Sequence, residues 1–455
     1  MSIEVERIGV AEEPQSATPR PVLSIWGAVS ITVGIVIGAG IFQTPTLVAN
    51  IAGSGTAMMI AWVLGGVLSL IGALTYAELA STYPSAGGDY TFLTRAYGKN
   101  VSFLFAWARS TVICTGSIAL LGFILGDYLT RLHGLGAYSS AIYAGLAVVL
   151  LTTVNLIGLR SSSRMQNALT LLEIGGLLLV AVAGMTLEPG PASAAATEGA
   201  GAFGLAMVFV LLTFGGWNEA AYVSAEVRGG HRSVVRMLVV SIGIITLAYL
   251  IFVGAVLHGL GFEQLKASTA IGVDVMERAL GPAGAQLIGV AVAVASLTSM
   301  NSTMIVGART NYSVAQDWKT LRFMGGWQGE RQAPAVGFVV QATIALGLVV
   351  FGALERDGFR TMVEFTAPVF WFFFMLSGIA LLVLRWRDPE RPRPFRVPLY
   401  PVLPLIFIAM CAYLLYSSIM YAQSKNAGYV ALVIVISGAA VLLAMRLRDL
   451  RNGRV

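Results

Sequence analysis

Long apolar runs recur along the whole chain, and they constrain its fold more than any other feature. Only 11% of the 455 residues are charged and 56% are hydrophobic, whereas a soluble chain carries about 25% charged residues. A helix needs about 20 apolar residues to cross a bilayer. Runs of that length or nearly so occupy residues 24–49, 55–81, 101–129, 138–158, 165–186, 202–225, 234–260, 285–309, 335–353, 362–384, 401–421 and 427–445. The sequence therefore predicts an all-α polytopic membrane protein with 12 transmembrane helices, and it argues against a water-soluble enzyme.

The connections between these runs alternate in charge. Most of the 29 Lys and Arg residues fall in every second connection, and the opposite connections hold Arg131, Lys266, Arg278, Arg356, Arg360 and Lys425. Basic residues accumulate in the cytoplasmic loops of membrane proteins, so the pattern predicts a plasma-membrane protein with both termini in the cytoplasm. We expect a disordered cytoplasmic tail over 1–22 without a signal peptide, an Arg/Pro-rich cytoplasmic loop over 387–400 and a second tail over 447–455. This topology explains the net charge of +6 without a nucleic-acid partner.

Residues that carry enzymatic chemistry are sparse. Cys114 and Cys411 both lie in apolar runs, which predicts neither a disulfide framework nor a metal site. The three histidines are scattered near the ends of the predicted spans, and we find no Ser/His/Asp grouping and no phosphate-binding loop. The sequence therefore predicts no enzymatic activity and no cofactor.

Two of the predicted spans are interrupted by glycine. The first contains Gly34, Gly38 and Gly40 within "GIVIGAGIF", and the sixth contains Gly215 and Gly216 within "LLTFGGWNEAAY". Glycine inside a helix costs about 1 kcal/mol relative to alanine. Close helix packing can explain one such span. Paired interruptions at matching positions of two five-span halves instead indicate the substrate site of an inverted-repeat transporter.

An unwound helix at bilayer depth has chemistry that suits an amino acid. Its freed N–H and C=O groups are tolerated only where they line a cavity or find partners. The amides that begin the resumed helix favour an anion, and the carbonyls that end the preceding helix favour a cation. We therefore expect three sets of contacts: Gly38, Ala39 and Gly40 for the substrate carboxylate; Val36, Ile37, Leu212 and Thr213 for the amino group; and Phe214, Gly215, Trp217 and Asn218 for the side chain.

Five stretches of the sequence resemble the amino acid–polyamine–organocation superfamily of transporters. They read "GIVIGAGIFQTPTLVA", "LTYAELASTYPSAGGDYTFLTRAYG", "FGGWNEAAYVSAEVR", "GARTNYSVAQDW" and "RPRPFRVPLYPVLPLIF". The "FGGWN" unit is similar to a bacterial member of the L-type amino acid transporter branch. The resemblance implies a LeuT-type fold, in which inverted repeats over 23–187 and 202–386 are followed by two further helices over 401–446. It also implies that helices 1 and 6 are discontinuous and that transport proceeds by alternating access.

Three positions depart from the pattern of that branch. Leu212 stands where an aromatic gate is common, so either the gate is missing or Phe214 takes its role. Glu173 stands where many relatives carry a lysine, at the place that sodium occupies in sodium-coupled relatives. Arg109 lies inside the third span, where the branch has an uncharged residue. A charge at the centre of a span costs at least about 2.5–3.5 kcal/mol.

The sequence leaves three interpretations of these two charges open. The side chains of Arg109 and Glu173 can reach an interface by snorkelling. They can form a mutual ion pair that replaces the sodium ion or lysine structurally. Glu173 can also carry a proton for coupling, because desolvation disfavours an ionised carboxylate. An arginine close to Glu173 would suppress that last role.

The sequence predicts a secondary active transporter of amino acids that works as an exchanger or a proton symporter. A polyamine or amine transporter of the same fold is one alternative, although the apolar stretch before Trp217 supplies no acidic residue for a polycation. A nutrient sensor that does not cycle is another. The resemblance also bears on partners: relatives join a single-span subunit through a cysteine after span three. Residues 131–137 contain no cysteine, so we expect no disulfide-linked partner.

Overall fold

The computed structural model describes residues 24–83, 85, 87–157, 163–191, 203–218, 227–228, 230–318, 335–355, 357–423 and 427–451. All regular secondary-structure elements among the described residues are helices. The helices are α1 Ile25–Val36, α2 Thr44–Ala52, α3 Gly55–Thr82, α4 Asp89–Tyr97, α5 Lys99–Ala108, α6 Cys114–Leu132, α7 Ser139–Ile157, α8 Ser163–Thr186, α9 Phe203–Thr213, α10 Gly230–Leu260, α11 Phe262–Ala267, α12 Ile271–Asp317, α13 Ala335–Leu354, α14 Gly358–Arg387, α15 Val402–Gln423 and α16 Ala427–Arg451. The predicted tail over 1–22 lies outside the described residues.

Helices long and apolar enough to cross a bilayer confirm a polytopic membrane protein. Eight such helices occur among the described residues, and shorter apolar helices lie within α1, α8, α9 and α16. The ends of α3, α7 and α13 agree with the predicted spans to within one residue. On α7, the side chains of Leu146, Val149 and Leu150 are more than half exposed, as expected of a face that contacts lipid.

Local chain chemistry explains where several helices begin and end. α2 stops at Gly53, whose φ of 71° is accessible to glycine at little cost. α3 then begins after Ser54, whose hydroxyl accepts a hydrogen bond from the Ala57 amide at 3.2 Å. α12 is much longer than the predicted span over 285–309, because a further helical segment precedes a kink at Gly281 and Pro282 and because the helix continues past residue 309 to Asp317.

The long helices α10 and α12 organise the bundle. α12 packs along α6, α8 and α13, and α10 packs along α1, α3 and α8. α8 therefore lies against both of them. Tyr249 on α10 and Ser299 on α12 are placed by this packing near the interrupted first span.

Near the predicted cytoplasmic end of the bundle, a buried carboxylate on α3 binds residues from other segments. Glu78 is 0% exposed and accepts two bonds from Arg385, from Nε at 2.7 Å and from Nη2 at 2.5 Å. It also accepts the Val397 amide at 2.6 Å, and Arg393 Nε lies 3.6 Å from it. The segment predicted as a loop over 387–400 is therefore bound to α3 through hydrogen bonds and ion pairs to Glu78.

At the same end of the bundle, a hydrogen bond joins α4 to α12. The Tyr90 hydroxyl donates to Asp317 Oδ2 at 2.7 Å. Burial and this hydrogen bond raise the pKa of Tyr90 to about 12, so the hydroxyl keeps its proton at neutral pH. α4 was not anticipated from the apolar pattern, because it is short and amphipathic.

Candidate functional site

The first span is interrupted where its glycines predict. α1 ends at Val36, and the Ile37 amide donates the last helical bond to Val33 O at 2.9 Å. Gly38 is extended (φ −135°, ψ 179°), and a single 3₁₀ turn over Ala39–Phe42 follows it. α2 then resumes the path at Thr44, with Pro45 in its first turn. The interruption leaves the carbonyl end of α1 without its own helical donors.

The sixth span is interrupted in the same way. α9 ends at Thr213, and the chain turns through Phe214 and Gly215 to Gly216. Gly216 has φ 105°, a backbone conformation that favours glycine. Trp217 and Asn218 are helical again, and residues 219–226 lie outside the described part.

The two broken helices meet at one hydroxyl group. Tyr249 Oη lies 2.9 Å from the Val36 carbonyl oxygen and 3.2 Å from the Thr213 carbonyl oxygen. The Thr213 hydroxyl also donates to Thr44 Oγ1 at 2.7 Å, which ties α9 to the start of α2. A tyrosine hydroxyl has one proton to donate, so two carbonyl oxygens at helix ends share a single donor.

Glu173 lies close to the interruption of the first span. Its side chain is buried, with 3% of the residue exposed, and its Oε1 has no hydrogen-bond partner among the described residues. A Cβ placed on Gly38 would stand 4.0 Å from this oxygen and 3.7 Å from Ser299 Oγ. The carboxylate therefore faces the extended backbone at Gly38.

Arg109 lies elsewhere in the bundle. It begins a π-helical segment, Arg109–Ile113, between α5 and α6, and its guanidinium stands 5.9 Å from the centre of the Phe105 ring. The ion pairs found among the described residues do not join it to Glu173. π-Helical turns inside α-helices occur frequently at functional sites.

The two aromatic residues predicted to line the side-chain pocket, Phe214 and Trp217, contact different aromatic neighbours. Phe214 is fully buried against Trp62 and Tyr249, with ring centroids 6.0 and 5.0 Å away. Trp217 packs on Tyr76 at 5.3 Å, in a space that opens because α3 carries Gly72 there. Gly215 is partly exposed, whereas Asn218 is buried. The pocket role of these residues stays a prediction.

The structure adds three residues that the sequence argument did not select: Thr44, Tyr249 and Ser299. Each is a hydroxyl-bearing residue within or beside an apolar span, which is the only signal the sequence offers for them. Hydroxyl residues are common in membrane helices, where they bond to their own backbone. Only the fold brings these three to the interruptions.

Comparison with known proteins yields a consistent set of relatives. A family model described as amino acid permease matches residues 23–441. The b(0,+)-type amino acid transporter 1 of Homo sapiens is 27% identical over 430 residues, which cover 92% of this chain and 86% of that protein. The serine/threonine exchanger SteT of Bacillus subtilis (strain 168) is 25% identical over 430 residues, covering 92% and 96%. The large neutral amino acids transporter small subunit 2 of Mus musculus is 26% identical over 435 residues, covering 92% and 80%.

Proposed function

The chain belongs to the amino acid permease family, and from this premise we propose that it exchanges neutral amino acids across the plasma membrane by alternating access. It is a transporter and not an enzyme, so its substrate leaves chemically unchanged. The observation that carries the proposal is the meeting of two broken helix ends at the Tyr249 hydroxyl.

The finer fold belongs to the same proposal. We place twelve spans in the membrane, with inverted repeats over 23–187 and 202–386, two further spans over 401–446, and both termini in the cytoplasm. Helix interruptions in the first and sixth spans support this arrangement, because paired discontinuous helices at corresponding positions are typical of inverted-repeat transporters.

In the proposed site, the amides of Gly38, Ala39 and Gly40 bind the substrate carboxylate. The carbonyl oxygens of Val36 and Thr213, with those of Ile37 and Leu212 beside them, accept the amino group. The shared Tyr249 proton supports this assignment, since one hydroxyl cannot satisfy two carbonyl oxygens fully. An ammonium group brings three more donors to the same place.

Exchange of neutral substrates is favoured over proton symport by the names of the relatives. One is a serine/threonine exchanger and another a large neutral amino acid transporter. The latter is named a small subunit, whereas Cys114 and Cys411 of this chain are both free and buried. We therefore propose that the chain transports amino acids without a disulfide-linked partner.

Counterflow into proteoliposomes tests this function. Liposomes that contain only this purified chain are loaded with an unlabelled neutral amino acid, and entry of the labelled compound is followed at two external pH values. We expect entry that requires internal substrate and does not change with the pH gradient. Entry of polyamines alone, or accumulation driven by the pH gradient into empty liposomes, would contradict exchange of neutral amino acids.

A further inference from the structure

We propose that Lys99, Arg387 and Arg446 form a binding site for the headgroup of an anionic phospholipid, at the predicted cytoplasmic end of the bundle between α5, α14 and α16. This site goes beyond the proposed function, because lipid binding requires neither an amino acid nor transport. The proposed orientation serves only to place the site in the cytoplasmic leaflet.

Two hydrogen bonds bring the three cationic residues to the junction of α4 and α5. Arg387 Nη1 donates to the Ala96 carbonyl oxygen at 2.9 Å, and Arg446 Nη2 donates to Asn100 Oδ1 at 2.9 Å. Lys99 is the first residue of α5 and precedes Asn100. The short chain segment between the two acceptors limits the separation of their α-carbons to about 14 Å. Three positive charges therefore share one corner of the surface.

The packing of the helices fixes this corner at the end of a contact that begins deeper in the bundle. Trp107 Nε1 on α5 donates to the Ile434 carbonyl oxygen on α16 at 3.2 Å, and the same two helices meet again at Asn100 and Arg446. α14 packs on both α4 and α16. The cationic residues thus come from three spans that are far apart in the sequence.

The described residues do not neutralise these charges. Lys99, Arg387 and Arg446 are exposed, and the ion pairs found among the described residues include none of them. Of the acidic residues that follow α14, Asp388 accepts a hydrogen bond from the Tyr83 hydroxyl. Like charges held together repel one another, and an anion removes that cost. A guanidinium group matches the oxygens of a phosphate particularly well.

Exposed apolar side chains beside the cations favour a lipid over a free anion. Trp386 precedes Arg387 and is 81% exposed, and Leu443 and Leu447 lie close to Arg446 on α16 and are 60% and 53% exposed. Tryptophan is enriched at the level of lipid headgroups, and exposed leucines on a spanning helix contact acyl chains. Basic pockets between membrane helices on the cytoplasmic side bind anionic headgroups. The corner combines both features of such a pocket.

Native mass spectrometry of the purified protein tests binding directly. The protein in detergent is mixed with equal amounts of dioleoylphosphatidylglycerol, which is anionic, and dioleoylphosphatidylcholine, which is zwitterionic. We expect the anionic lipid to remain bound in preference to the zwitterionic one. The double variant Lys99→Gln/Arg446→Gln should lose this preference, because it removes two of the three charges and keeps the Arg387 bond to α4.

The melting temperature in detergent measures the consequence for stability. We expect a saturable rise with dioleoylphosphatidylglycerol, and no rise with dioleoylphosphatidylcholine or with inorganic phosphate at the same concentration. Lys99→Gln/Arg446→Gln should lose the rise, and its cooperative transition in dioleoylphosphatidylcholine shows that it is folded. Arg232→Gln/Arg236→Gln is the matched control, because it removes two exposed charges from α10 at the same predicted side of the membrane. It should respond as the natural protein does.

Four results would overturn the proposal. The first is a natural protein that binds the two lipids equally. The second is an unchanged lipid response in Lys99→Gln/Arg446→Gln. The third is an equal loss in both double variants, which would attribute the response to net charge. The fourth is an equal rise with inorganic phosphate, which would make the ligand a free anion. Amino acid counterflow in liposomes of dioleoylphosphatidylcholine alone reports separately on the proposed function.

Discussion

At the scale of single residues, Tyr249 joins the two broken helices, and its hydroxyl is the group whose loss we expect to matter most. Tyr249→Phe keeps the ring that packs on Trp62 and Phe214 but leaves the Val36 and Thr213 carbonyl oxygens without this donor. A typical hydrogen bond contributes about 0.5–1.5 kcal/mol net, which corresponds to about a two- to tenfold loss of apparent substrate affinity. Counterflow as a function of substrate concentration measures it.

A matched control for that variant is Tyr143→Phe, which removes an exposed hydroxyl bonded to His133 O. It should leave the counterflow curve unchanged. Equal counterflow curves for Tyr249→Phe and the natural protein would show that the Tyr249 hydroxyl does not contribute to substrate affinity.

At the candidate site, the sequence predicts the positions whose role depends on the backbone. Gly38, Gly40, Gly215 and Gly216 predict the interruptions, because close helix packing explains one glycine-rich span but not a matching pair of them. Tyr249 could not be found in this way: one tyrosine in an apolar helix has no distinguishing pattern. Its role depends on the packing of α10 against α1.

At the scale of elements, the turn that ends α9 depends on a glycine conformation. Gly216 has φ 105°, and a side chain there costs about 1–3 kcal/mol in strain. We expect Gly216→Ala to reshape the turn and to abolish counterflow while the protein still inserts into membranes. Gly98→Ala is the control, since Gly98 also has positive φ (88°) but stands between α4 and α5, with open space around its Cβ position. Its strain should lower stability and spare transport.

The buried contact between α3 and α14 is a second element-scale feature with a measurable consequence. Glu78→Gln removes the charge that Arg385 and Arg393 share. Breaking a buried ion pair from one side costs about 3–5 kcal/mol, so we expect a large fall in the melting temperature in detergent. Glu263→Gln, which alters an exposed pair with Lys266, should change it little. Similar melting temperatures for both variants would contradict a supporting role for Glu78.

The elements differ in how well the sequence predicts them. α3, α7 and α13 follow from apolar length alone, because lipid requires an uninterrupted hydrogen-bonded helix. The extra segment of α12 before Gly281, and the short helices α4 and α11, lie outside the apolar runs. They are set by packing against the bundle, and a hydropathy pattern holds no signal for that.

At the scale of the whole molecule, the chain is a bundle of membrane helices in which long helices pack around two interrupted helices. α10 and α12 both pack on α8; α10 also packs on α1, and α12 contacts the 3₁₀ turn Ala39–Phe42. These two long helices therefore support the interruption of the first span, and α2 resumes that span. The apolar runs predict the class of this architecture. The convergence of the first and sixth spans was predicted from their paired glycine interruptions and from the resemblance, and not from apolar length.

The central claim is that the two helix interruptions bind the charged head of an amino acid. Competition by modified substrates tests it most directly. The amino acid that gives the fastest counterflow is compared with its methyl ester, which lacks the carboxylate charge, and with its N-acetyl form, which lacks the ammonium group. The account predicts that each modification abolishes competition for entry of the labelled amino acid. Competition by either compound as strong as that of the amino acid itself would contradict it.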